Sequence, residues 1–165
     1  MKPVRTVYNK SWIPYKCRVD FYLSSSPVDF SAPVTTVHGF FWYKGRLLLV
    51  KHRYRGWEVP GGHIESNESF EFAMKRELYE EAQMTCSRLD WLGYLEKTAM
   101  EDAPENCRYP HPLSYCVFFR GLVEDIEIFT GDTSIVQADF FSPEQAGEIP
   151  WVQAYKEYFE ASMNY

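Results

Sequence analysis

The chain has 165 residues, 45% of them apolar and 18% aromatic, which supports a buried core and excludes global disorder. Its net charge of −6 argues against a nucleic-acid partner held by bulk electrostatics. No stretch approaches the roughly 18 consecutive apolar residues of a membrane span, and the four cysteines have no zinc-like spacing.

Residues 1–33 are the hardest to place. Val4 to Tyr8 and Arg18 to Leu23 have strand-like composition, and Ser24 to Pro27 reads as a loop. Lys10, Lys16 and Arg18 interrupt any apolar leader. The segment is expected to be an N-terminal extension of one domain spanning 1–165. Val34–Tyr43, a turn at Lys44-Gly45 and Arg46–His52 predict a β-hairpin. Its second strand carries the unbroken apolar run Leu47 to Val50, which predicts burial on both faces. A short extended piece, Trp57 to Val59, ends at Pro60, and a glycine turn follows. A helix is expected over about 69–83, with Phe70, Met74, Leu78 and Ala82 as its buried stripe. Beyond it come a strand over 89–96, a proline-rich loop over 98–112, and strands over 113–123 and 134–141. A helical turn begins at Ser142-Pro143, and a terminal helix is predicted over 151–163 with Val152, Tyr155 and Phe159 on one face. This order of elements is α+β.

The chemistry concentrates in the glycine turn and the helix behind it. Glu77, Glu80 and Glu81 fit within an arc of roughly 100° on a helix, so they repel one another unless a cation sits among them. An isolated run of this kind is more often a solvated helix face. Here the apolar stripe holds the arc at the edge of the core, and the preceding glycines allow close backbone approach. Arg76, four residues before Glu80, is placed to orient that carboxylate and leave the others unengaged. A hard divalent ion with oxygen ligands, Mg²⁺ or Mn²⁺ in its place, suits the set.

Gly62, Glu68, Arg76, Glu77, Glu80 and Glu81 stand at spacings that resemble the signature of the Nudix (MutT-like) hydrolases, with Leu78 and Met84 at its apolar positions. The departure is Gln83, where that family usually has glycine; a left-handed residue there would cost about 1 kcal/mol without glycine. The resemblance implies a mixed β-sheet sandwiched between helices (an α/β/α sandwich). It also implies Mg²⁺-dependent hydrolysis of a nucleoside diphosphate linked to another moiety, such as a nucleoside triphosphate, a nucleotide sugar or an RNA 5′ end. Carried over residue by residue, it assigns Glu77, Glu80 and Glu81 as metal ligands with the Gly61 carbonyl as a fourth. Arg76 then orients Glu80, and Glu68 supports the loop. Which glutamate acts as base stays open.

Outside this motif, Arg53 and Arg55 are candidates for phosphate contact within the basic stretch Lys51, His52, Arg53, Arg55, because guanidinium binds phosphate bidentately. Trp57 and Tyr109, and after them Trp42, Tyr43 and His111, are candidates for stacking on a base. Glu101, Asp102 and Glu105 are loop acids in reach of an accessory role. Cys86 and Cys116 are expected in the core. A small-molecule nucleotide partner, a cytoplasmic location with reduced thiols and no membrane attachment complete the expectations. The oligomeric state is open, a homodimer included. The competing class is a non-catalytic nucleotide-binding or regulatory module on the same fold, and an isomerase acting on a diphosphate is a third.

Overall fold

The computed structural model describes residues 1–11, 13–105, 107 and 109–164. Its strands are β1 (Arg5–Tyr8), β2 (Cys17–Leu23), β3 (Val34–Tyr43), β4 (Arg46–His52), β5 (Gly56–Glu58), β6 (Gly61–His63), β7 (Leu89–Ala99), β8 (Leu113–Leu122) and β9 (Ile135–Phe141). Helix α1 (Phe70–Ala82) falls between β6 and β7, and α2 (Pro143–Gly147), α3 (Pro150–Ala154) and α4 (Lys156–Ser162) close the chain. The strands run in the order β1-β2-β7-β8-β3-β4-β5, with β6 on β3 and β9 on β4. Among the described residues only β3 and β8 pair in parallel, so the sheet is mixed.

Strand β4 shows why Leu47 to Val50 are continuously apolar. Pleating sends Leu48 and Val50 to one face, where they meet Met74, Leu78 and Ala82 of α1. Leu47 and Leu49 go to the other, where they meet Phe40, Phe118, Val152 and Tyr158 beneath α3 and α4. All four are fully buried. Each such side chain contributes roughly 1.5–3 kcal/mol, so the two layers of helix are held by the sheet's own alternation. Among the described residues no helix is long and apolar enough to cross a membrane.

Several expectations are corrected. The hairpin forms at its turn, where Lys44 (φ 49°) and Gly45 (φ 74°) are both left-handed, but β3 and β4 pair only at Trp42↔Leu47 and Tyr43↔Arg46. Beyond that point they part, and β3 takes β6 along the vacated edge. The glycine turn is thus a strand. The strand predicted over 89–96 runs on to Ala99, because β2 pairs with it as far as Cys17↔Ala99. The loop therefore starts at Met100, and its residues 106 and 108 lie outside those described. The terminal helix is broken at Tyr155 (φ −125°, ψ 32°). The break brings Tyr155 to 5.6 Å and Tyr158 to 4.0 Å from the Phe118 ring, and the fully buried Tyr158 donates its hydroxyl to the Tyr94 carbonyl. Tyr158, absent from the predicted apolar face, is as fully buried as Val152. The N-terminal segment joins the sheet through β1 and β2.

Candidate functional site

The site forms where β6 meets the acidic edge of α1. Rungs from Gly39 N–H to the Pro60 carbonyl and from Ile64 N–H to the Thr35 carbonyl mark which residues of this segment face β3. By antiparallel alternation, Gly61 and His63 turn their backbone groups the other way, toward α1. Accordingly Gly61 N–H donates to Glu81 Oε2 (2.9 Å), and the His63 carbonyl accepts from Arg76 Nη2 (3.0 Å). The Gly61 carbonyl lies on that same outward edge.

Close approach demands glycine at both positions. A Cβ on Gly62 would sit 2.4 Å from Glu77 Oε1, and one on Gly61 would sit 2.3 Å from His38 Nδ1. Glu77 therefore lies flush on the strand backbone.

Arg76 is the hub of the cluster. Its Nε and Nη2 grip Glu68 as a fork (2.7 and 3.0 Å), while Nη1 reaches both Glu77 Oε1 (2.9 Å) and Glu80 Oε2 (3.0 Å). The expectation that Arg76 orients Glu80 alone is corrected: the guanidinium is wide enough to span three carboxylates. Glu68 also accepts from Glu65 N–H and so closes the loop ahead of α1. Arg76 holds Glu68 below the ordinary carboxylate range.

The three glutamates are unequal. Glu80 has a side chain 57% exposed. Burial raises the proton affinity of Glu77, opposed by the bond to Arg76. Glu81 is pushed up to about 8 by burial, with the Glu77 charge adding to the push and the Gly61 N–H opposing it. Among the described residues no three acidic, His or Cys side chains already converge as a metal cluster. The donor set fits a hard cation nonetheless: the buried Glu77, the half-buried Glu81, the exposed Glu80 and an outward backbone carbonyl are all oxygen ligands, with Arg76 bearing on Glu77 and Arg55 on Glu81.

The end of α1 explains the departure at Gln83. It adopts the left-handed conformation (φ 52°, ψ 43°) that glycine would take, and its N–H caps the Tyr79 carbonyl. Its side-chain amide donates to the Tyr79 and Glu80 carbonyls and accepts from Thr130 N–H. Those bonds offset the backbone cost and keep Glu80 and Glu81 on the last helical turn.

The remaining candidates divide. Arg55 forks onto Glu58 (2.5 and 3.2 Å), and both charges bear on Glu81, so Arg55 stands beside the cluster. Arg53 is turned instead to the Thr133 carbonyl (3.0 Å), away from the glutamates. Trp57 packs edge-on to Phe141 at 4.8 Å, with Lys51 Nζ 5.8 Å from its ring. Trp42 is a core residue bonded to Ser162, and Tyr43 packs on Phe140. Glu101 accepts from Lys16 N–H (2.7 Å), while its carbonyl meets His111, so it fastens the loop to the N-terminal segment. Asp102 is exposed. Tyr109 and Glu105 line a cavity of about 600 Å³ together with Pro14, Thr35, His63, Pro104, Cys107 and Pro110. Cys17, Cys86 and Cys116 are buried and all four thiols are free.

Three residues near the site escaped the sequence reading. His38 presses its Nδ1 against Gly61, has no hydrogen-bond partner for that atom among the described residues, and is held neutral by burial, its pKa lowered to about 3. Glu58 is 8% exposed, and Lys97, also 8% exposed, lies behind the cavity wall. No local spacing marks them, because strand pairing alone brings them there. The Arg55–Glu58 separation of three was the one available cue.

The fold and the site together define a mixed α/β/α sandwich in which a glycine strand clasps an acidic helix edge. The chain belongs to the Nudix family: the NUDIX domain model matches residues 33–161. It is 33% identical over 79 residues to a Bacillus subtilis protein provisionally named the 8-oxo-dGTP diphosphatase YtkD, covering 45% of this chain and 50% of that one. It is 31% identical over 55 residues to an 8-oxo-dGTP diphosphatase of Buchnera aphidicola, covering 32% of this chain and 44% of the relative. The chain thus spans about half the length of the curated relatives it matches. Among solved structures, the Bacillus subtilis pyrophosphohydrolase BsRppH superposes with a TM-score of 0.64 at 20% identity, over 94% of this chain and 97% of that one. That likeness is one of fold.

Proposed function

We propose that this protein is a Mg²⁺-dependent pyrophosphohydrolase that cleaves a phosphoanhydride bond in a nucleoside diphosphate linked to another group, with nucleoside triphosphates the foremost class. The observation that carries this is the pairing of two carboxylates, the buried Glu77 and the half-buried Glu81, with the β6 backbone at Gly61 and Gly62. The names of the relatives, 8-oxo-dGTP diphosphatases, support the nucleotide class.

Glu77, Glu80, Glu81 and the Gly61 carbonyl would hold the metal, Mn²⁺ serving in place of Mg²⁺. Bound there, the ion supplies charge neutralisation at phosphate oxygens and a lowered pKa for coordinated water. Phosphoryl transfer needs mainly positioning and charge neutralisation, so the chain's own work is modest. Arg76 sets Glu77 and Glu80, and Glu68 anchors Arg76. Glu81, held against the β6 edge by the Gly61 N–H, suits the role of accepting the attacking water's proton. Arg55 is placed to receive a phosphate if it releases Glu58, and Arg53 would need to leave Thr133 to join it. Tyr109 offers a ring to the base, and Trp57 stands at the rim as a second stacking candidate. We take residues 1–165 as one domain acting in the cytoplasm, where the four thiols stay reduced. The net charge of −6 sets RNA ends behind free nucleotides.

The test is phosphate and pyrophosphate release from nucleoside triphosphates (8-oxo-dGTP among them), nucleotide sugars and dinucleotides, with and without Mg²⁺. Turnover should require the metal and fall by at least about 10²-fold in Glu81→Gln. Tight nucleotide binding without turnover anywhere in the panel would instead establish a binding module.

A further inference from the structure

Gly61 and Gly62 face opposite sides of β6, and both sides are occupied. On the α1 side, Glu77 Oε1 fills the place of a Gly62 side chain, 2.4 Å from where its Cβ would stand. On the other side the imidazole of His38 does the same for Gly61, its Nδ1 2.3 Å from the missing Cβ. The register requires this, because His38 lies directly across from Gly61 and residues opposite one another share a face of the sheet. The strand that offers its Gly61 N–H to Glu81 is therefore clamped from both sides.

His38 is itself backed. Its ring stacks on Phe118 at 5.6 Å and meets Trp151 of α3 at 5.5 Å, and Trp151 packs in turn on Phe40 and Tyr155. An apolar ring would complete this packing as well, yet a nitrogen stands at the contact. That nitrogen is sealed and has no hydrogen-bond partner among the described residues, although His38 as a whole is only half-buried. A proton on it would be a buried donor left unmet, so the proton belongs on Nε2 and Nδ1 meets Gly61 bare. A bare nitrogen projects less from the ring edge than a C–H group. It lets the strand backbone lie closer than a phenyl ring would.

We infer that His38 is a positioning residue: its ring, braced by Phe118 and Trp151, sets the depth of β6 and so fixes the Gly61 backbone edge for Glu81 and the metal. The inference rests on the hydrolase reading above. Gly61 and Glu81 are joined by a 2.9 Å bond, so a shift of the strand displaces two members of the proposed ligand set together. His38 acts through the strand and not on the nucleotide. Its loss therefore weakens metal binding and turnover and leaves nucleotide affinity alone.

The test compares the wild type with His38→Ala, His38→Phe and Phe159→Leu, the last a truncation elsewhere in the core layer beneath α3 and α4. Mn²⁺ binding to the nucleotide-free protein is read by electron paramagnetic resonance, kcat and KM at one Mg²⁺ concentration, and folding by thermal melts. His38→Ala should raise the Mn²⁺ Kd at least about 10-fold and lower kcat with KM unchanged. His38→Phe should recover the melting temperature but not the Mn²⁺ affinity, because a C–H group replaces the bare nitrogen. Phe159→Leu should lower the melting temperature and leave Mn²⁺ binding as in the wild type. Wild-type Mn²⁺ affinity in either His38 variant, or an equal loss of it in Phe159→Leu, would overturn the assignment. Should the wild type neither bind Mn²⁺ nor turn over any nucleotide, the hydrolase reading fails, and amide exchange at Gly61, read by NMR, decides the brace. Faster exchange in His38→Ala than in Phe159→Leu sustains it, and equal rates refute it.

Discussion

Replacing Arg76 with alanine is the sharpest test of how the site is built. The guanidinium, 16% exposed, is forked onto Glu68 (8% exposed) and bonded to Glu77 (11% exposed) and Glu80. Without it, Glu77 and Glu68 are poorly solvated carboxylates with no cation between them. Removing one partner of a buried ion pair costs about 3–5 kcal/mol; the exposed Glu80 adds little, so about 3 kcal/mol is expected. In a domain of this size that corresponds to roughly 6–12 °C in Tm. The assay is urea denaturation in EDTA, repeated with excess Mg²⁺. The metal should stabilise Arg76→Ala more than the wild type, because it restores positive charge among the same carboxylates. Arg76→Lys should recover only part of the loss, since an ammonium cannot fork. A loss below about 1 kcal/mol in EDTA, or equal stabilisation by Mg²⁺ in both proteins, would refute the account of Arg76 as the hub.

Gly62→Ala should cost at least about 10²-fold in kcat, read in the Mg²⁺-dependent release assay. Its Cβ would meet Glu77 Oε1 at 2.4 Å and drive that carboxylate from its seat. At Gln83, alanine keeps the left-handed strain but loses the side-chain bonds to Tyr79, Glu80 and Thr130, whereas glycine loses the bonds and removes the strain. Chemical denaturation should therefore rank Gln ≥ Gly > Ala, with alanine about 1–2 kcal/mol below glutamine. Glu81 sets a pH dependence. Its folded pKa is raised to about 8 from an ordinary 4.5, so the native state favours the protonated form. On this account the Glu81 contribution to stability of the metal-free protein is fully present below about pH 4.5, and on the order of 4 kcal/mol is lost as pH rises to 8. Glu81→Gln in EDTA should be more stable than the wild type at pH 8, while the two converge at pH 4.5. Parallel stability curves from pH 4.5 to 8 would contradict the burial argument.

The elements that were legible before folding are those with a local cause. Ser69 caps α1, Met74, Leu78 and Ala82 bury its inner face, and Lys44-Gly45 turns β3 into β4. Gln83 was legible as a position with a cost, but its amide caps could not be foreseen, since one of them depends on Thr130, far along the chain. The break at Tyr155 was hidden for a similar reason. Helical periodicity runs straight through it, and the break accompanies the packing of Tyr155 and Tyr158 on Phe118 and Phe21, which lie far away in the chain.

The order of residues by itself determined the acidic helix edge, the glycines before it and the family, because metal-binding chemistry needs its carboxylates at helical spacing and that spacing is written in one short segment. Tertiary structure alone decided that β6 turns its Gly61 edge to Glu81, that Arg76 spans Glu68 as well as Glu77 and Glu80, and that His38, Glu58 and Lys97 stand near the site. Those contacts join residues on different strands. They depend on strand partners and register, which side-chain periodicity within one strand leaves undetermined.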